Sequence, residues 1–331
     1  MRALLLGGTY MLALLTLLQD GRFHSGEALG AALGVSRSAV WKQLQALQSE
    51  LSLPVHKVRG RGYRLETPLQ LLNADWLNSQ VGAPQWAACV LQSVDSTNAE
   101  ALRRMSQAQS MPFYVIAERQ TNGRGRRGRS WLSPFGENLY YSLVVRVEGG
   151  MRQLEGMSLA IGLALLQVIR AFGVSEAGLK WPNDVLVADR KLAGILLEIS
   201  GDPADVCHVV IGIGLNVNML AAEQGAIGQP WTSMRAELGH LLNRNELVNE
   251  LNRQLSRYLE IQLRDGFSAL QDEWQASHLW QGRQVALTAG GEPIVGEVAG
   301  VDCSGAIRLR VNGAERSFSG GELSLRLRDD S

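Results

Sequence analysis

The chain has 331 residues, 46% of them hydrophobic and 19% charged, with 32 basic residues balanced by 32 acidic ones. That length predicts two or three domains, and the composition excludes a disordered, fibrous or membrane-embedded chain. The charge is unevenly placed: residues 1–66 hold eight Lys and Arg against four acids, a net +4 that leaves −4 for the remainder. A basic amino-terminal module on a neutral chain predicts an anionic partner at that end, nucleic acid or membrane surface. Cys89, Cys207 and Cys303 lie far apart and are odd in number, which argues against a disulfide framework or a spaced metal site and fits a reducing cytoplasm.

Residues 3–18 are largely apolar and follow Arg2, the outline of a signal peptide, but no small-residue cleavage site follows and the run is short for a membrane span. Residues 11–18 instead carry the periodicity of a first core helix, and residues 1–10 read as an extension from an upstream start. Residues 25–48 read as two helices joined by a tight turn, with Ser25 and Ser36 as caps and Gly34 in the turn. In the second helix Val40, Leu44 and Leu47 share one face, while Arg37, Ser38, Trp41, Lys42 and Gln45 share the other. Residues 55–65 alternate around Arg59-Gly60-Arg61-Gly62 as a β-hairpin does. Helix, turn, helix and basic hairpin make a winged helix-turn-helix, with Ser36, Arg37, Ser38, Trp41, Lys42, Gln45, Arg59 and Arg61 as candidate DNA contacts.

Thr67-Pro68 marks a boundary, and residues 69–77 are expected as a connecting helix. The middle of the chain mixes strands (90–94, 114–118, 139–147, 185–187, 195–199, 209–213) with helices (98–106, 157–172, 246–263) in irregular order, which predicts an α+β domain rather than a doubly wound one. From residue 284 short strands recur at turn-marked intervals (284–288, 294–301, 306–311, 315–318, 323–327), a small all-β barrel. The expected domains are therefore 1–66, 67–278 and 279–331.

The chemistry concentrates in a few segments. Gln120-Thr121-Asn122-Gly123-Arg124-Gly125-Arg126-Arg127-Gly128-Arg129-Ser130-Trp131 contains Gly-x-Gly-x-x-Gly after a strand. A Rossmann turn must open a helix, whereas this segment leads through Ser133-Pro134-Phe135-Gly136 into a β-rich run, and no Gly-Lys-Ser/Thr follows to make a P-loop. What remains is a glycine-rich loop with four arginines, equally suited to holding phosphate through bidentate forks and to being a solvated basic loop or nucleic-acid patch. Lys180-Trp181-Pro182-Asn183-Asp184 leads into Asp189-Arg190-Lys191-Leu192-Ala193-Gly194, an expected hairpin. Asn183 and Asp184 fit its turn for backbone reasons and fit equally a ribose, phosphate or metal ion. Ser96-Thr97-Asn98 opens a helix, where Thr97 and Glu100 have capping-box spacing that accounts for the threonine without a ligand; the same helix terminus also suits a polar ligand group.

Taken together and in this order, these segments resemble the biotin protein ligases, specifically the bifunctional kind that also represses biotin synthesis genes. The resemblance runs from the winged helix to the terminal barrel and rests most on the Gly123 to Trp131, Lys180 to Asp184 and Arg190 to Gly194 segments; Asn122 departs from it, standing where a small residue is common. It implies a multidomain α+β fold: a winged helix-turn-helix, a central mixed α/β catalytic domain of the biotin/lipoyl ligase type, and an SH3-like β-barrel. By that resemblance Ser96, Thr97, Asn98, Gln120, Arg124, Gly125, Arg126, Lys191 and Gly194 contact biotin. Arg126, Arg129, Trp131, Asn183, Asn216 and Trp231 contact the nucleotide, with Trp231 on adenine. Arg124, Arg126, Lys191 and Asp184 are the catalytic candidates. The implied ligands are ATP, Mg²⁺ and biotin, with biotinyl-5'-AMP as intermediate and corepressor. The implied partners are the biotin carboxyl carrier protein, operator DNA and a second copy of the chain, and not a membrane. The rivals are a lipoate or octanoate ligase, opposed by the arginine-glycine loop and the winged helix, and a ligand-sensing transcription factor without turnover, opposed by the density of phosphate-handling residues.

Overall fold

The computed structural model describes residues 2–82, 84–107, 109–202, 206–222, 225–288, 292–319 and 323–327, with backbone alone for residues 2–9, 151 and 152. Two compact units result: Met1–Leu72 with Pro134–Glu137, and Asn73–Ser133 with Asn138–Ser331. Among the described residues no helix is long and apolar enough to cross a membrane.

In the first unit, α1 (Arg2–Leu18), α2 (Gly26–Leu33) and α3 (Arg37–Leu51) pack with the antiparallel hairpin β1 (Val55–Val58) and β2 (Gly62–Leu65). Leu14, Leu15 and Leu18, Leu29, and Val40, Leu44, Leu47 and Leu51 supply one stripe each to a common core that also takes Tyr63 and Leu65. The expected caps form: Ser25 Oγ accepts from the Ala28 N–H at 3.0 Å, Ser36 Oγ accepts from the Ala39 N–H at 3.2 Å, and Gly34 takes the left-handed conformation at φ 66°. Arg37, Ser38, Trp41, Lys42, Gln45, Arg59 and Arg61 stay exposed. Lys57 lies 4.6 Å over the Trp41 ring, so α3 and the hairpin present their cations side by side.

The connecting helix expected at 69–77 forms only as α4 (Ala74–Asn78), capped by Asn73. The reason is Leu69: its side chain is buried in the first unit's core and its N–H donates to Gln19 O at 3.0 Å, which holds the preceding residues out of a helix.

The second unit continues through β3 (Ala87–Leu91), α5 (Thr97–Ser106), β4 (Phe113–Ala117), β5 (Leu139–Glu148), α6 (Met157–Ala171), β6 (Ala177–Lys180), β7 (Asp184–Val187), β8 (Arg190–Gly201), β9 (Val206–Leu215), α7 (Met234–Leu238), α8 (Arg244–Asp265) and α9 (Gln271–Ala276). Seven strands form one sheet in the order β3-β4-β5-β9-β8-β7-β6, antiparallel except for β3 and β4. Strand alternation sends Tyr141, Ile195 and Leu179 to the face covered by α6 and α8, where Tyr141 Oη donates to Asn252 Oδ1 at 2.8 Å. α6 is apolar around most of its circumference because it is buried between sheet and α8. The opposite face carries Ser142, Gly212, Gly214, Gly194, Asp184 and Lys180. The remaining strands, β10 (Gln284–Thr288), β11 (Ile294–Val301), β12 (Ile307–Val311), β13 (Ala314–Phe318) and β14 (Ser324–Leu327), make an antiparallel five-stranded sheet in the order β13-β12-β11-β10-β14. The α+β class and the terminal all-β domain are as the sequence predicts.

Candidate active site

The floor of the site is a register line. Tyr140, Gly214, Gly194, Asp184 and Lys180 are successive cross-strand partners on β5, β9, β8, β7 and β6. The glycines keep this line low. A Cβ at Gly214 would stand 2.5 Å from Trp131 Cε2, and one at Gly194 would stand 3.1 Å from Lys191 Nζ and 3.3 Å from Trp131 Cζ3. Trp131 thus lies flat across the two glycines, at a separation that a methyl group would forbid.

Lys191 reaches this face through a bulge. Val185 pairs with Ala193 but Leu186 pairs with Lys191, so Leu192 is an extra residue on β8. Without it, strict alternation from Gly194 would turn Lys191 to the far face. With it, Lys191 Nζ lies 2.7 Å from Asp184 Oδ1 and 5.4 Å from the Trp131 ring, both ionic groups largely buried.

At the β5–β9 end lies a polar cluster. The capping-box reading of Thr97 is overturned: Ser96 is the cap residue, and no side-chain cap hydrogen bond forms there. Glu100 instead pairs with Arg103 and Arg104 on its own helix. Thr97 Oγ1 and N–H both donate to Gln120 Oε1, at 3.1 and 2.9 Å. Ser142 Oγ lies 2.8 Å from Thr97 Oγ1 and donates to Asn98 Oδ1 at 2.6 Å. Asn98 Nδ2 donates to Glu198 Oε2 at 2.7 Å, and Arg124 Nη2 stands 3.7 Å from Glu198 Oε1. Asn98 lies directly over Gly212, where a Cβ would be 2.9 Å from its Cγ and Nδ2. Ser142 and Glu198 were missed by the sequence reading; their only signal is alternation along two strands, which marks a face and not a site.

The arginine-glycine loop closes on itself. Trp131 N–H donates to Gly123 O at 2.8 Å, Gly125 N–H donates to Arg129 O at 2.7 Å, and Arg124 bridges to Ser130. Gly123 is obligatory at the neck, since a Cβ there would meet Trp131 O at 2.5 Å. Arg127 adopts φ 60° at the tip. Arg126 Nη1 donates to Asn183 Oδ1 at 2.8 Å and Nη2 to Leu323 O at 3.2 Å, while Asn183 Nδ2 donates to Ile195 O at 2.7 Å. Asn183 is thereby a clamp between the loop and β8. Arg129 is exposed at the cleft.

On the other edge of β8 the segment around Trp231 runs beside Lys191. Lys191 N–H donates to Pro230 O at 3.0 Å, and Thr232 N–H donates to Lys191 O at 2.9 Å. Asn216 Nδ2 donates to Thr232 O at 3.0 Å, so Asn216 fixes this segment from below. Arg190 pairs with Glu237 at 3.0 Å and also reaches Thr232 Oγ1.

These parts surround one cleft of about 820 Å³, within the usual range for a small-molecule site. Ser96, Thr97, Asn98, Gln120, Arg124, Gly125, Arg126, Arg129, Trp131, Asn183, Asp184, Lys191, Gly194, Asn216 and Trp231, all sequence-predicted, line it together. The predicted DNA contacts belong to the first unit. The cleft holds seven Lys and Arg, among them Lys180 and Arg326, against Asp184 and Asp189. Such an excess in a partly desolvated space calls for a polyanion. Among the described residues no group of three His, Cys, Asp or Glu gathers as a metal site.

A polar cluster around Asn98 joined to a cation-rich groove over a glycine floor suits an acid and a nucleotide. Known proteins are similar over nearly the whole chain. The model of the biotin/lipoate A/B protein ligase family matches residues 90–216, a helix-turn-helix domain matches residues 11–64, and the biotin protein ligase C-terminal domain matches residues 281–326. The chain is 42% identical over 318 residues to the bifunctional ligase/repressor BirA of Salmonella typhimurium, spanning 96% of this chain and 98% of that protein. The Escherichia coli protein of the same name is 41% identical over the same shares. A biotin protein ligase from Aquifex aeolicus, solved in complex with biotin and ATP, matches with a TM-score of 0.63 at 28% identity, covering 73% of this chain and 99% of that one. The chain belongs to the biotin protein ligase family, in its bifunctional ligase/repressor branch.

Proposed function

We propose that the protein activates biotin with ATP, transfers it to one lysine of a biotin carboxyl carrier protein, and represses biotin synthesis genes when it carries the adenylate. The observation that supports this most is the cleft itself, where the Asn98 cluster and the Arg124, Arg126, Lys191 cations flank the Gly212, Gly214 and Gly194 floor. Its modules are taken as residues 1–66 for DNA, 67–278 for catalysis and 279–331 for the terminal domain. The free thiols of Cys89, Cys207 and Cys303 fit a cytoplasmic site of action.

Biotin's carboxylate is inert to an amine because its leaving group would be oxide. Adenylation supplies a phosphate ester as leaving group. A carboxylate oxygen bonds to the α-phosphorus of ATP, the bond from that phosphorus to the β-bridging oxygen breaks, and the electron pair leaves with pyrophosphate. Two anions must be brought together, which prepositioned cations permit. Arg124, Arg126 and Lys191 supply them, and Lys191 is held for the purpose by Asp184. Mg²⁺ enters as part of the Mg–ATP substrate, carried on nucleotide phosphates as is usual for this ion. The head group of biotin lies against Ser96, Thr97, Asn98 and Gln120, with Gly125 and Gly194 giving its chain close passage. Asn183, Asn216, Arg129 and Trp131 border the nucleotide, and Trp231 packs on adenine.

In the second step the acceptor amine attacks the acyl carbon and AMP departs. The Asp184 carboxylate takes the amine's proton, and the Lys191 ammonium beside it stabilises the negative charge that leaves on AMP. Closure of the Gly123 to Trp131 loop excludes the water that would hydrolyse the anhydride. The closed loop also forms part of a homodimer surface, so that adenylate binding brings two winged helices to two operator half-sites.

The test is pyrophosphate release by the full-length protein with ATP and each of biotin, lipoate and octanoate. Release with biotin alone supports the reading, and none with biotin refutes it. Operator affinity that is equal with and without biotinyl-5'-AMP would refute the corepressor role.

A further inference from the structure

Lys180 has no part in the mechanism above, yet it ends the register line that forms the floor. It sits on β6, the edge strand, opposite Asp184 and therefore three strand spacings from Gly214, roughly 14 Å across the sheet. Its ammonium lines the cleft and is held 4.6 Å over the ring of Trp280, itself only 5% exposed. Among the described residues the ammonium has no hydrogen bond or ion pair. Burial lowers its pKa, as do Lys191, Arg326 and Arg129, and Asp184 opposes this only in part.

The order of groups across the sheet gives this position a meaning. The head-group cluster stands over β5 and β9, the Lys191–Asp184 pair over β8 and β7, and Lys180 over β6, while the Trp231 segment lies off the line beside β8. Displacement at a phosphorus is in line: entering and leaving oxygens occupy opposite apices, and the third substituent points sideways. With the acid over β5–β9 and the nucleoside at Trp231, the apex opposite the entering carboxylate faces β6.

Resting on the function proposed above, we propose that Lys180, aimed by Trp280, binds the β- and γ-phosphates of ATP and carries the pyrophosphate leaving group. As the bond from the α-phosphorus to the bridging oxygen breaks, negative charge grows on pyrophosphate within reach of an ammonium that has given up much of its hydration. The residue therefore serves adenylation and not acyl transfer.

Lys180→Met and Lys180→Arg in the full-length protein separate these steps. In biotin-dependent ATP–pyrophosphate exchange, Lys180→Met should lose roughly 10- to 100-fold in kcat/KM for ATP, the worth of one charge-assisted hydrogen bond, and inhibition by added pyrophosphate should weaken by a similar factor. Lys180→Arg should recover part of both. Transfer to acceptor from supplied biotinyl-5'-AMP should stay within about threefold of wild type for both variants. Unchanged pyrophosphate inhibition, or transfer that falls as far as adenylation, overturns the assignment. Wild-type protein that exchanges no pyrophosphate with biotin overturns the function on which it rests, a result distinct because failure of the Lys180 assignment leaves wild-type exchange intact.

Discussion

Gly212→Ala is the sharpest test of the head-group site. The new methyl would stand 2.9 Å from both Cγ and Nδ2 of Asn98, where non-bonded heavy atoms need about 3.5 to 4 Å. Asn98 Oδ1 would be closer still, so Asn98 must shift by about 1 Å or more. It has little freedom to do so, because Ser142 Oγ holds its carbonyl at 2.6 Å and Glu198 Oε2 holds its amide at 2.7 Å. The shift breaks one neutral and one charge-assisted hydrogen bond, together about 2 to 4 kcal/mol. Water entering the open cleft restores part of that in the free protein, so melting temperature should fall only a few degrees. Biotin needs the amide in place, and its KM should rise roughly 30-fold or more, with KM for ATP within about threefold. The assay is pyrophosphate exchange at varied biotin and varied ATP, beside thermal unfolding. An unchanged KM for biotin would show that Asn98 does not touch the vitamin.

Lys191→Met should slow adenylate formation at least about 100-fold. It also strands Asp184, whose side chain is 15% exposed, so Lys191→Met/Asp184→Asn should be more stable to urea than the single variant while no more active; near-normal pyrophosphate release by Lys191→Met would sink its role. Replacing Arg59 and Arg61 by Ala should weaken operator binding and lower the slope of log affinity against log salt by about one for each phosphate no longer neutralised. Biotinylation should be unchanged, and an unchanged salt slope would remove the hairpin from the DNA interface. His278 packs on Trp274 with ring centroids 4.7 Å apart, and burial pushes its pKa down to about 4 from 6.5. Neutral in the folded state, it contributes stability above pH 6.5 that is lost as pH falls toward 4, because only the unfolded chain then takes the proton. The loss is about 3 kcal/mol over that window, and urea unfolding of His278→Phe at several pH values should show a flatter profile; an unchanged slope would place the titration elsewhere.

The winged helix was legible almost residue by residue. Its helices are amphipathic, its caps are local, and its turn needs only Gly34, so short-range chemistry and tertiary packing ask for the same structure. The arginine-glycine loop and the Lys180 to Gly194 hairpin were legible for a different reason: their residue types alone suited a solvated basic loop and an ordinary turn equally well, and it was the order of motifs along the chain, through the family resemblance, that gave them a role. Thr97 shows where local reasoning failed. Capping-box spacing explains a threonine near a helix start, but here Gln120 and Ser142, distant in sequence, compete for the same oxygen and win. The helix expected at 69–77 failed likewise, because burial of Leu69 outweighs local helix propensity.

Sequence alone determined the class of the fold, the basic amino-terminal module and which segments bear the chemistry, since each depends on periodicity, composition or motif within one stretch of chain. The face on which that chemistry meets was decided only by the tertiary structure. One extra residue at Leu192 turns Lys191 toward Asp184, and pairing across four strands sets Gly214, Gly194, Asp184 and Lys180 in one line. Register and bulges are properties of strand pairs, set by how a whole sheet packs, and no single strand's sequence records them.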